Sequence, residues 1–580
     1  MSTEKIFTLD EGNRSEKIIP LSEAIAKCVK PGMKLHFSIG AEATASLREI
    51  IRQYWGKNPE FTLIASVVTT PDLLYLITGG LVKRIITSNC SYTYPVPRPI
   101  PLVQKMHKEG ILEIESWSLY SLEQRLMAAA QGLGFFPTKS LIGSSLAEEN
   151  ANDFKVIPNP FNPQEATGVV KALFPDISII HGCVADCDGN TILSPPYFGS
   201  IWGPRASKGG AIVTVEKIVP TNFIRKHNAL VKLPGYLVKY VCPVVFGAHP
   251  QGLSSGGIGE VEGYGEDNEF ILNFVQISQE PSRLKDWIEE WVIRCVSHDH
   301  YLRKLGSKKI AFLRKRSNAD TGDEIIKPST SREVNSTEKM VVAAAREIKE
   351  IVTRGNYQTI LCGIGSPSLA ASLAHYLLKK DGILVDLMTG PGQIGFTPQP
   401  RDPLLNSPSS MATCKMLTDS GELYGTFVGG ANNKCLSVLG TAQIDQYGNM
   451  NTVKMGDLYF IGVGGAGDAL SARETLVVAR QSRKRLVEKV SFVSCAGQKV
   501  KTLITDLAVF QKLEGKETFT VTKYLTDESL REKESQFNEI KKKCGWNLEI
   551  VENPVAVLPP TFEELSILRS LDPEGLFIGD

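Results

Sequence analysis

The feature of this 580-residue chain that most restricts its fold is a repeated alternation of short apolar runs with helical patterns. In the first part, the run FTLIASVVTT is followed by PDLLYLITGG, and the run ISIIHGCVA is followed later by AIVTVEKIV. In the second part, TILCGIG leads into SPSLAASLAHYLLKK and then GILVDLM. Strands that are apolar at nearly every position and alternate with helices are typical of a parallel sheet covered on both faces. The sequence therefore predicts an α/β protein with two mostly parallel sheets.

A polar segment separates the two parts. From Arg314 to Lys339 the chain reads RKRSNADTGDEIIKPSTSREVNSTEK, which has no periodic apolar face and is typical of a linker. We predict a first domain over residues 1–313, a linker over 314–339 and a second domain over 340–580. At roughly 150 residues per domain, the length excludes a single small binding module.

Charge and composition exclude several classes of partner. The chain has 64 Lys and Arg against 63 Asp and Glu, and no basic block supplies the field that nucleic acid or anionic lipid requires. No stretch approaches the roughly 20 apolar residues that span a bilayer, and the N-terminus has no apolar leader. We predict a cytoplasmic protein without a nucleic-acid or membrane partner. Eleven cysteines without a CxxC spacing predict reduced, mostly buried thiols and no metal site.

Two local patterns occur in both parts. A D-x-x-G-N turn follows a strand at Asp186–Asn190 and again at Asp445–Asn449; the Asp accepts backbone N–H groups and the Gly adopts positive φ. A strand also runs into a glycine turn and a helix twice, at Gly40 and at Gly363 with Gly365. Such a turn lets backbone N–H groups approach an anion. The shared patterns indicate duplication of one fold.

Longer stretches resemble a known family. LPGYLVKYVCPVVFGAHPQG, FPDISIIHGCVADCDGNTI and AAAQGLGFFPTKSLIGSSL in the first part are similar to the A chain of glutaconate CoA-transferase, a class I CoA-transferase. GTAQIDQYGNMN and FIGVGGAGDA in the second part are similar to its B chain. The similarity runs from about 21 to 313 and from about 342 to 557. It implies two domains of that family's fold, A-like and B-like, fused in one chain, with an acyl-CoA site between them.

The resemblance also implies a glutamate nucleophile in the B-like half, which attacks the thioester and forms a glutamyl-CoA intermediate. Aligning on Gly390 places Met388 at that position, and Met cannot act as this nucleophile. Asp386 lies on the same strand face as Met388, about 6.6 Å back along a strand, and is an alternative nucleophile or a buried structural Asp.

Two residues of the A-like half are further candidates. His249, in GAHP, is either a general base near neutral pH or a structural histidine. Ring-opening hydrolases that resemble this family carry a glutamate where this chain has Leu119. Glu123 lies one helical turn further on and is either its partial replacement or a surface charge.

The glycine-rich turn Gly464, Gly465, Ala466 and Gly467 is expected to bring N–H groups to a thioester carbonyl or to the CoA pyrophosphate. The two turn glycines Gly363 and Gly365 are candidates for CoA binding on the same grounds.

Together these features predict an acyl-CoA enzyme that acts as a lyase, by decarboxylation, or as a hydrolase on a short diacyl- or oxoacyl-CoA. The alternatives are a true CoA-transferase with Asp386 as nucleophile and a free carboxylic acid as second substrate, or a non-catalytic CoA-ester binding protein. Coenzyme A is expected as part of the substrate, without a resident cofactor. Because the family pairs A and B halves into larger assemblies, we expect a homodimer.

Overall fold

The computed structural model describes residues 15–38, 42–69, 71–92, 97–317, 333–402, 407–526 and 532–579. The turn at Gly40 and residues 318–332 of the predicted linker lie outside the described residues. The ends of that linker are helical, because one helix ends at Lys315 and the next begins at Ser336. Within the described part of the chain, no helix is long and apolar enough to cross a membrane.

The described residues of the first half form fourteen strands. They are β1 Lys34–Phe37, β2 Phe61–Ala65, β3 Val67–Val68, β4 Val82–Thr87, β5 Asn89–Cys90, β6 Glu113–Ser116, β7 Phe135–Thr138, β8 Phe154–Asn159, β9 Asn162–Lys171, β10 Ile177–Ala185, β11 Thr191–Leu193, β12 Ala211–Ile218, β13 Val231–Leu233 and β14 Val238–Pro243. The helices are α1 Leu21–Cys28, α2 Thr44–Tyr54, α3 Pro71–Thr78, α4 Pro101–Lys108, α5 Leu119–Ala130, α6 Ser145–Glu149, α7 Trp202–Ala206, α8 Thr221–Lys226, α9 Asn268–Ile277, α10 Pro281–Ile288, α11 His298–Leu305 and α12 Ser307–Lys315.

The second half has fifteen strands in its described ranges. They are β15 Thr359–Cys362, β16 Asp386–Thr389, β17 Gln393–Phe396, β18 Met416–Leu417, β19 Cys435–Leu439, β20 Gln443–Asp445, β21 Met450–Asn451, β22 Lys454–Met455, β23 Leu458–Tyr459, β24 Glu474–Val478, β25 Leu486–Val487, β26 Val500–Ile504, β27 Ala508–Gln511, β28 Thr520–Leu525 and β29 Glu549–Val557. The helices are α13 Ser336–Gly355, α14 Ser366–Lys380, α15 Pro408–Ala412, α16 Ser420–Glu422, α17 Ala466–Ala469, α18 Lys533–Lys542 and α19 Phe562–Leu571.

Each half is built on a mostly parallel sheet, as predicted. In the first half the parallel strands run in the order β14-β12-β10-β1-β2-β4-β6. In the second half the parallel centre runs β26-β24-β19-β15-β16, and antiparallel strands extend it on both sides. Five adjacent strands, β14 to β2 in the first half and β26 to β16 in the second, therefore follow one order along the chain, which is the arrangement expected of a duplicated fold.

The two D-x-x-G-N turns have the same hydrogen bonds. Asp186 Oδ1 accepts the Asn190 N–H at 2.9 Å, and Asp445 Oδ1 accepts the Asn449 N–H at 3.0 Å. The glycine of each turn has positive φ, 91° in the first and 79° in the second, as expected for a tight turn that only glycine enters without strain. The predicted turn chemistry is confirmed in both halves.

A second loop is attached to each turn in the same way. The Asn190 side-chain oxygen accepts the Gly235 N–H at 2.9 Å, and the Asn449 oxygen accepts the Gly497 N–H at 2.9 Å. Both glycines begin a short 3-10 helix. A side chain on either glycine would collide with the backbone of its turn, at 2.3 Å in the first half and 2.2 Å in the second.

A half-buried amine completes each junction. Lys17 Nζ donates to the carbonyl of the third turn residue at 3.1 Å and to that of Gly235 at 2.7 Å. Lys512 Nζ donates to the corresponding two carbonyls in the second half, at 2.6 Å and 3.0 Å. Lys17 precedes the first α-helix, whereas Lys512 follows β27. The two halves thus satisfy the same carbonyls with lysines from different places in the fold.

Alternate residues of β16 face different cores, as strand geometry requires. Leu387 packs in the cluster that includes α13 and α14 of the second half. Met388 belongs to a larger cluster that spans both halves and also contains Leu119 and Tyr424. The face of β16 that carries Met388 is therefore the one turned to the first half.

Eight of the eleven cysteines are buried and all are free thiols, as predicted.

Candidate active site

The N-terminus of α5 in the first half meets the glycine-rich turn of the second. Ser118 caps α5 through a reciprocal pair of hydrogen bonds with Ser121. At the next residue, the Leu119 N–H donates to the Gly464 carbonyl at 2.9 Å. This contact brings the first turn of α5 directly against the turn that the sequence assigns to CoA-ester binding.

Asp468 is the centre of this junction. Its Oδ1 accepts the hydroxyls of Ser118 at 2.7 Å and Ser140 at 2.6 Å, and its Oδ2 accepts the Tyr120 N–H at 2.9 Å. Burial raises the pKa of Asp468 to about 6, and these three hydrogen bonds oppose the rise. A second-half carboxylate thus takes three donors from the first half, which fixes the position of α5.

Glu123 lies on α5, one turn beyond Leu119, and its side chain is buried rather than on the surface. The residue is 2% exposed. Its Oε2 accepts the Ser420 hydroxyl from the second half, while Oε1 is buried without a hydrogen-bond partner in the described part of the chain. Burial, reinforced by the nearby Asp419 carboxylate, holds the pKa of Glu123 well above its usual range. Glu123 is therefore a buried carboxyl group at the interface between the halves, in surroundings that favour its neutral form.

Tyr424 enters the site from the second half on a π-helix, Leu423–Val428, a form of helix that is common at functional sites. It is 5% exposed. A β-carbon placed on Gly465 would lie 1.9 Å from the Tyr424 hydroxyl oxygen, and one placed on Gly390 would lie 2.5 Å from it. The phenol therefore occupies space that these two positions leave open by having no side chain.

The glycine-rich turn shows which of its residues require glycine. Gly464 has a φ of 54° and open space where a β-carbon would be, so its requirement is conformational. Gly465 has a φ of −90°, so its requirement is the close approach of Tyr424. Ala466 and Gly467 begin α17, and a β-carbon on Gly467 would make only an ordinary contact at 3.4 Å.

Met388 is fully buried near the C-terminal end of β16, two residues before Gly390. Ligand sites of open α/β sheets lie outside the carboxyl ends of the strands. The Met388 side chain packs in the apolar cluster that contains Leu119 of the first half, so a thioether stands where the resemblance places the nucleophilic glutamate.

Comparison with known proteins places this site in a family. A family model described as "Coenzyme A transferase" matches residues 19–243. The A-type subunit of glutaconate CoA-transferase from Acidaminococcus fermentans is 30% identical over 320 residues, which cover 51% of this chain and 94% of that protein. The chain belongs to the coenzyme A transferase family.

The second half of this coenzyme A transferase family member has relatives of its own. The B-type subunit of 3-oxoadipate CoA-transferase from Pseudomonas knackmussii is 29% identical over 259 residues, covering 41% of this chain and 93% of that protein. A crystal structure of an acyl-CoA transferase from Escherichia coli O157:H7, in a thioester complex with CoA, covers 98% of both chains with a TM-score of 0.65 and 16% identity. The identity is low, so this likeness shows the fold. A-like and B-like halves are thus joined in one chain.

Asp386, the alternative nucleophile, lies at the start of β16 rather than at its end. It forms an ion pair with Lys415 at 2.6 Å, and its side chain is 36% exposed. The structure therefore places Asp386 at the opposite end of the strand from Gly390 and Tyr424.

His249 lies in a buried network of the first half. Its Nδ1 is 2.6 Å from the Tyr301 hydroxyl and its Nε2 is 3.2 Å from Asp267. Burial lowers the pKa of His249, and Asp267 opposes that effect. Both ring nitrogens are occupied by first-half partners, so the structure does not bring this histidine together with Glu123 or Met388.

Gly363 and Gly365 stand at the start of α14. A β-carbon on Gly363 would lie 2.8 Å from the Val438 carbonyl, which identifies a packing contact with β19. Gly365 has a φ of 82° and faces Phe577 at 3.5 Å. The local structure explains both glycines through backbone conformation and packing, and their assignment to CoA binding stays a prediction.

Sequence reasoning missed three residues of this site, namely Ser420, Tyr424 and Asp468. Ser420 and Tyr424 lie in DSGELYGTFVGG, which has no recognisable catalytic spacing. Asp468 directly follows the glycine-rich turn, and an acid next to such a turn is the one available signal. What unites them is contact with α5 and its capping residue, more than 290 residues away. As assembled, the site offers a buried acid, a phenol and an apolar wall.

Proposed function

We propose that this coenzyme A transferase family member processes an acyl-CoA without a glutamyl-CoA intermediate, as a decarboxylating lyase or as a hydrolase. The observation that carries the proposal is Met388, a fully buried thioether where the family resemblance places the glutamate nucleophile. A ping-pong transfer of CoA needs a carboxylate at that position. Beside Met388, the glycine-rich turn that resembles the family's is present and contacts the first turn of α5.

The state of Glu123 favours the lyase of these two reactions. Hydrolysis by general base catalysis needs a carboxylate that takes a proton from water, whereas the raised pKa of Glu123 suits a general acid. When an unsaturated diacyl-CoA loses CO2, the C–C bond breaks and its electron pair moves through the double bond into the thioester carbonyl. Glu123 then gives its proton to a carbon of the resulting dienolate, and water restores the proton to Glu123. The apolar wall around Met388 favours expulsion of a carboxylate as neutral CO2.

The substrate class follows from the same proposal. We expect a short diacyl- or oxoacyl-CoA with four to seven acyl carbons, with coenzyme A present as part of the substrate. A homodimer in the cytoplasm and the absence of a resident cofactor stay predictions for the purified protein.

The transferase alternative requires Asp386 as nucleophile and a free acid as acceptor. The ion pair of Asp386 with Lys415 at 2.6 Å and its place at the start of β16 count against that reaction. A non-catalytic CoA-ester binding protein is the remaining alternative, which the survival of both sides of the interface disfavours.

One experiment separates these reactions. The purified protein is incubated with glutaconyl-CoA, glutaryl-CoA and 3-oxoadipyl-CoA, with and without acetate, and the products are identified by mass spectrometry. The lyase should convert glutaconyl-CoA to a thioester lighter by the mass of CO2 and leave glutaryl-CoA intact, because the saturated chain cannot pass the electron pair to the thioester. Free CoA with the released acid is expected for the hydrolase.

Two results would overturn the proposal. Formation of acetyl-CoA together with a hydroxylamine-sensitive enzyme adduct would identify the protein as a CoA-transferase. Binding of all three thioesters without turnover would identify it as a binding protein.

A further inference from the structure

We propose that the Tyr424 hydroxyl binds the carbonyl oxygen of the thioester and stabilises the charge that develops on it. This inference rests on the proposed acyl-CoA function. It adds a catalytic residue that comes from the second half, opposite the Glu123 acid of the first half.

The position of the hydroxyl carries the first step. Its oxygen would be 1.9 Å from a β-carbon on Gly465 and 2.5 Å from one on Gly390. Gly390 follows the end of β16, and Gly465 belongs to the glycine-rich turn. The Tyr424 hydroxyl therefore lies between the strand end that carries Met388 and the turn that meets α5, at the point where the two halves enclose the site.

The availability of the hydroxyl carries the second step. Tyr424 is 5% exposed, and its hydroxyl donates to no acceptor among the residues that the structure describes. Among the described residues, the hydroxyl oxygen is not one of the buried polar atoms that lack a partner, so it borders accessible space and can bond to water. A carbonyl oxygen of a bound substrate can replace that water as the acceptor.

The protonation state of the phenol fits the same role. Burial raises the pKa of Tyr424, and the Asp468 carboxylate raises it further. The phenol therefore keeps its proton and acts as a hydrogen-bond donor throughout the working pH range of an enzyme. A fixed donor stabilises a forming enolate oxygen without reorganisation in the transition state, and losing one such donor costs about 10²- to 10³-fold in rate.

The test replaces the hydroxyl alone. Glutaryl-CoA labelled with ¹³C at the thioester carbonyl is bound to the wild type and to Tyr424→Phe, and the carbonyl stretch is recorded by isotope-edited infrared spectroscopy. Hydrogen bonding lowers this frequency, so we expect a lowered frequency in the wild type and a return toward the value in water-free solvent in the variant. On a thioester that the wild type turns over, kcat/KM of Tyr424→Phe should fall about 10²-fold or more.

A matched control is Tyr376→Phe. Tyr376 lies on α14, outside this site, and its hydroxyl donates to the Pro398 carbonyl at 2.6 Å. This variant should lose some stability and keep its kcat/KM and carbonyl frequency. Tyr424→Phe should show the reverse, with an unchanged or higher melting temperature, because it removes no hydrogen bond between described residues.

The outcomes separate this inference from the proposed function. An unchanged carbonyl frequency in Tyr424→Phe would overturn the inference whatever the turnover. A clear loss of stability in Tyr424→Phe would overturn it too, since the hydroxyl would then have a structural partner. A lowered frequency that depends on Tyr424, in a protein that turns over no thioester, would support the inference and refute the proposed catalysis.

Discussion

Replacing Gly465 by Ala tests the closest contact in the site. The new β-carbon would lie 1.9 Å from the Tyr424 hydroxyl oxygen, 2.7 Å from Tyr424 Cζ and 3.3 Å from Leu119 Cδ1. To reach an ordinary contact distance of 3.4 Å, the hydroxyl must move by about 1.5 Å. Since a misplacement of about 1 Å at a catalytic group can cost 10²-fold in rate, we expect kcat/KM to fall by at least about 10²-fold.

The assay measures kcat/KM on a turned-over thioester together with thermal melting. Gly189→Ala is the control, because Gly189 has a φ of 91° and its β-carbon would lie 2.9 Å from Val238 Cβ, in a turn that takes no part in the site. That variant should lose about 1–3 kcal/mol of stability and retain its turnover per folded molecule.

A double variant refines the magnitude. With Tyr424→Phe already present, the ring atom nearest to the new β-carbon at position 465 is Cζ at 2.7 Å, which needs a shift of only about 0.7 Å. Gly465→Ala should therefore cost much less in that background than in the wild type, as coupled neighbours do. Equal losses in both backgrounds, or full activity in a folded Gly465→Ala, would refute the assignment of this contact to catalysis.

Three further predictions concern buried side chains. A general acid with a raised pKa makes kcat/KM decline as the pH rises, and Glu123→Gln should abolish that decline. In pH–rate profiles, kcat/KM on the acidic plateau should also fall by about 10²-fold or more. An unaltered profile would contradict the acid role. Met388→Leu should keep activity and lower the free energy of unfolding by less than about 1.5 kcal/mol. Met388→Ala should lower the free energy of unfolding by about 2–5 kcal/mol, with little change in turnover per folded molecule. Loss of turnover by orders of magnitude in folded Met388→Ala would contradict an apolar lining role. Burial raises the pKa of Asp468 from 3.8 to about 6, so its contribution to stability is fully present below pH 3.8, and about 3 kcal/mol is lost as the pH rises through 6. In urea denaturation between pH 4 and pH 7, the free energy of unfolding should therefore decline less steeply for Asp468→Asn than for the wild type. Parallel curves would rule the effect out.

Patterns confined to short stretches of sequence were sufficient for the fold. The alternation of apolar strands with helices predicted both sheets, and each D-x-x-G-N turn formed because its Asp, Gly and Asn act within five residues. Glu123 was placed on the correct helix, but its burial depends on Ser420, 297 residues away. Periodicity within one helix cannot show that a second half covers it.

His249 shows the same limit of prediction from local sequence. Its GAHP motif is compatible with a general base or with a structural histidine, and the outcome depends on Asp267 and Tyr301, which lie 18 and 52 residues away. Tyr424 could not be predicted because its role comes from the missing side chains of two distant glycines. Residues whose importance depends on space left by others have no local signature.

The lysines at the two repeated turns have a consequence for the boundaries of the first half. Lys17 ends a single turn of 3-10 helix ahead of α1, yet it donates to two carbonyls that join the Asp186–Asn190 turn to the loop at Gly235. A shortened chain that begins at Leu21 would keep every α-helix and named strand of the first half. It would lose this cation and the hydrogen bond from the Ile19 N–H to the Val241 carbonyl on β14. The second half would be unaffected, because Lys512 follows β27 within that half. The first half therefore begins ahead of its first α-helix, at residues that bind the Asp186–Asn190 turn, the Gly235 loop and β14.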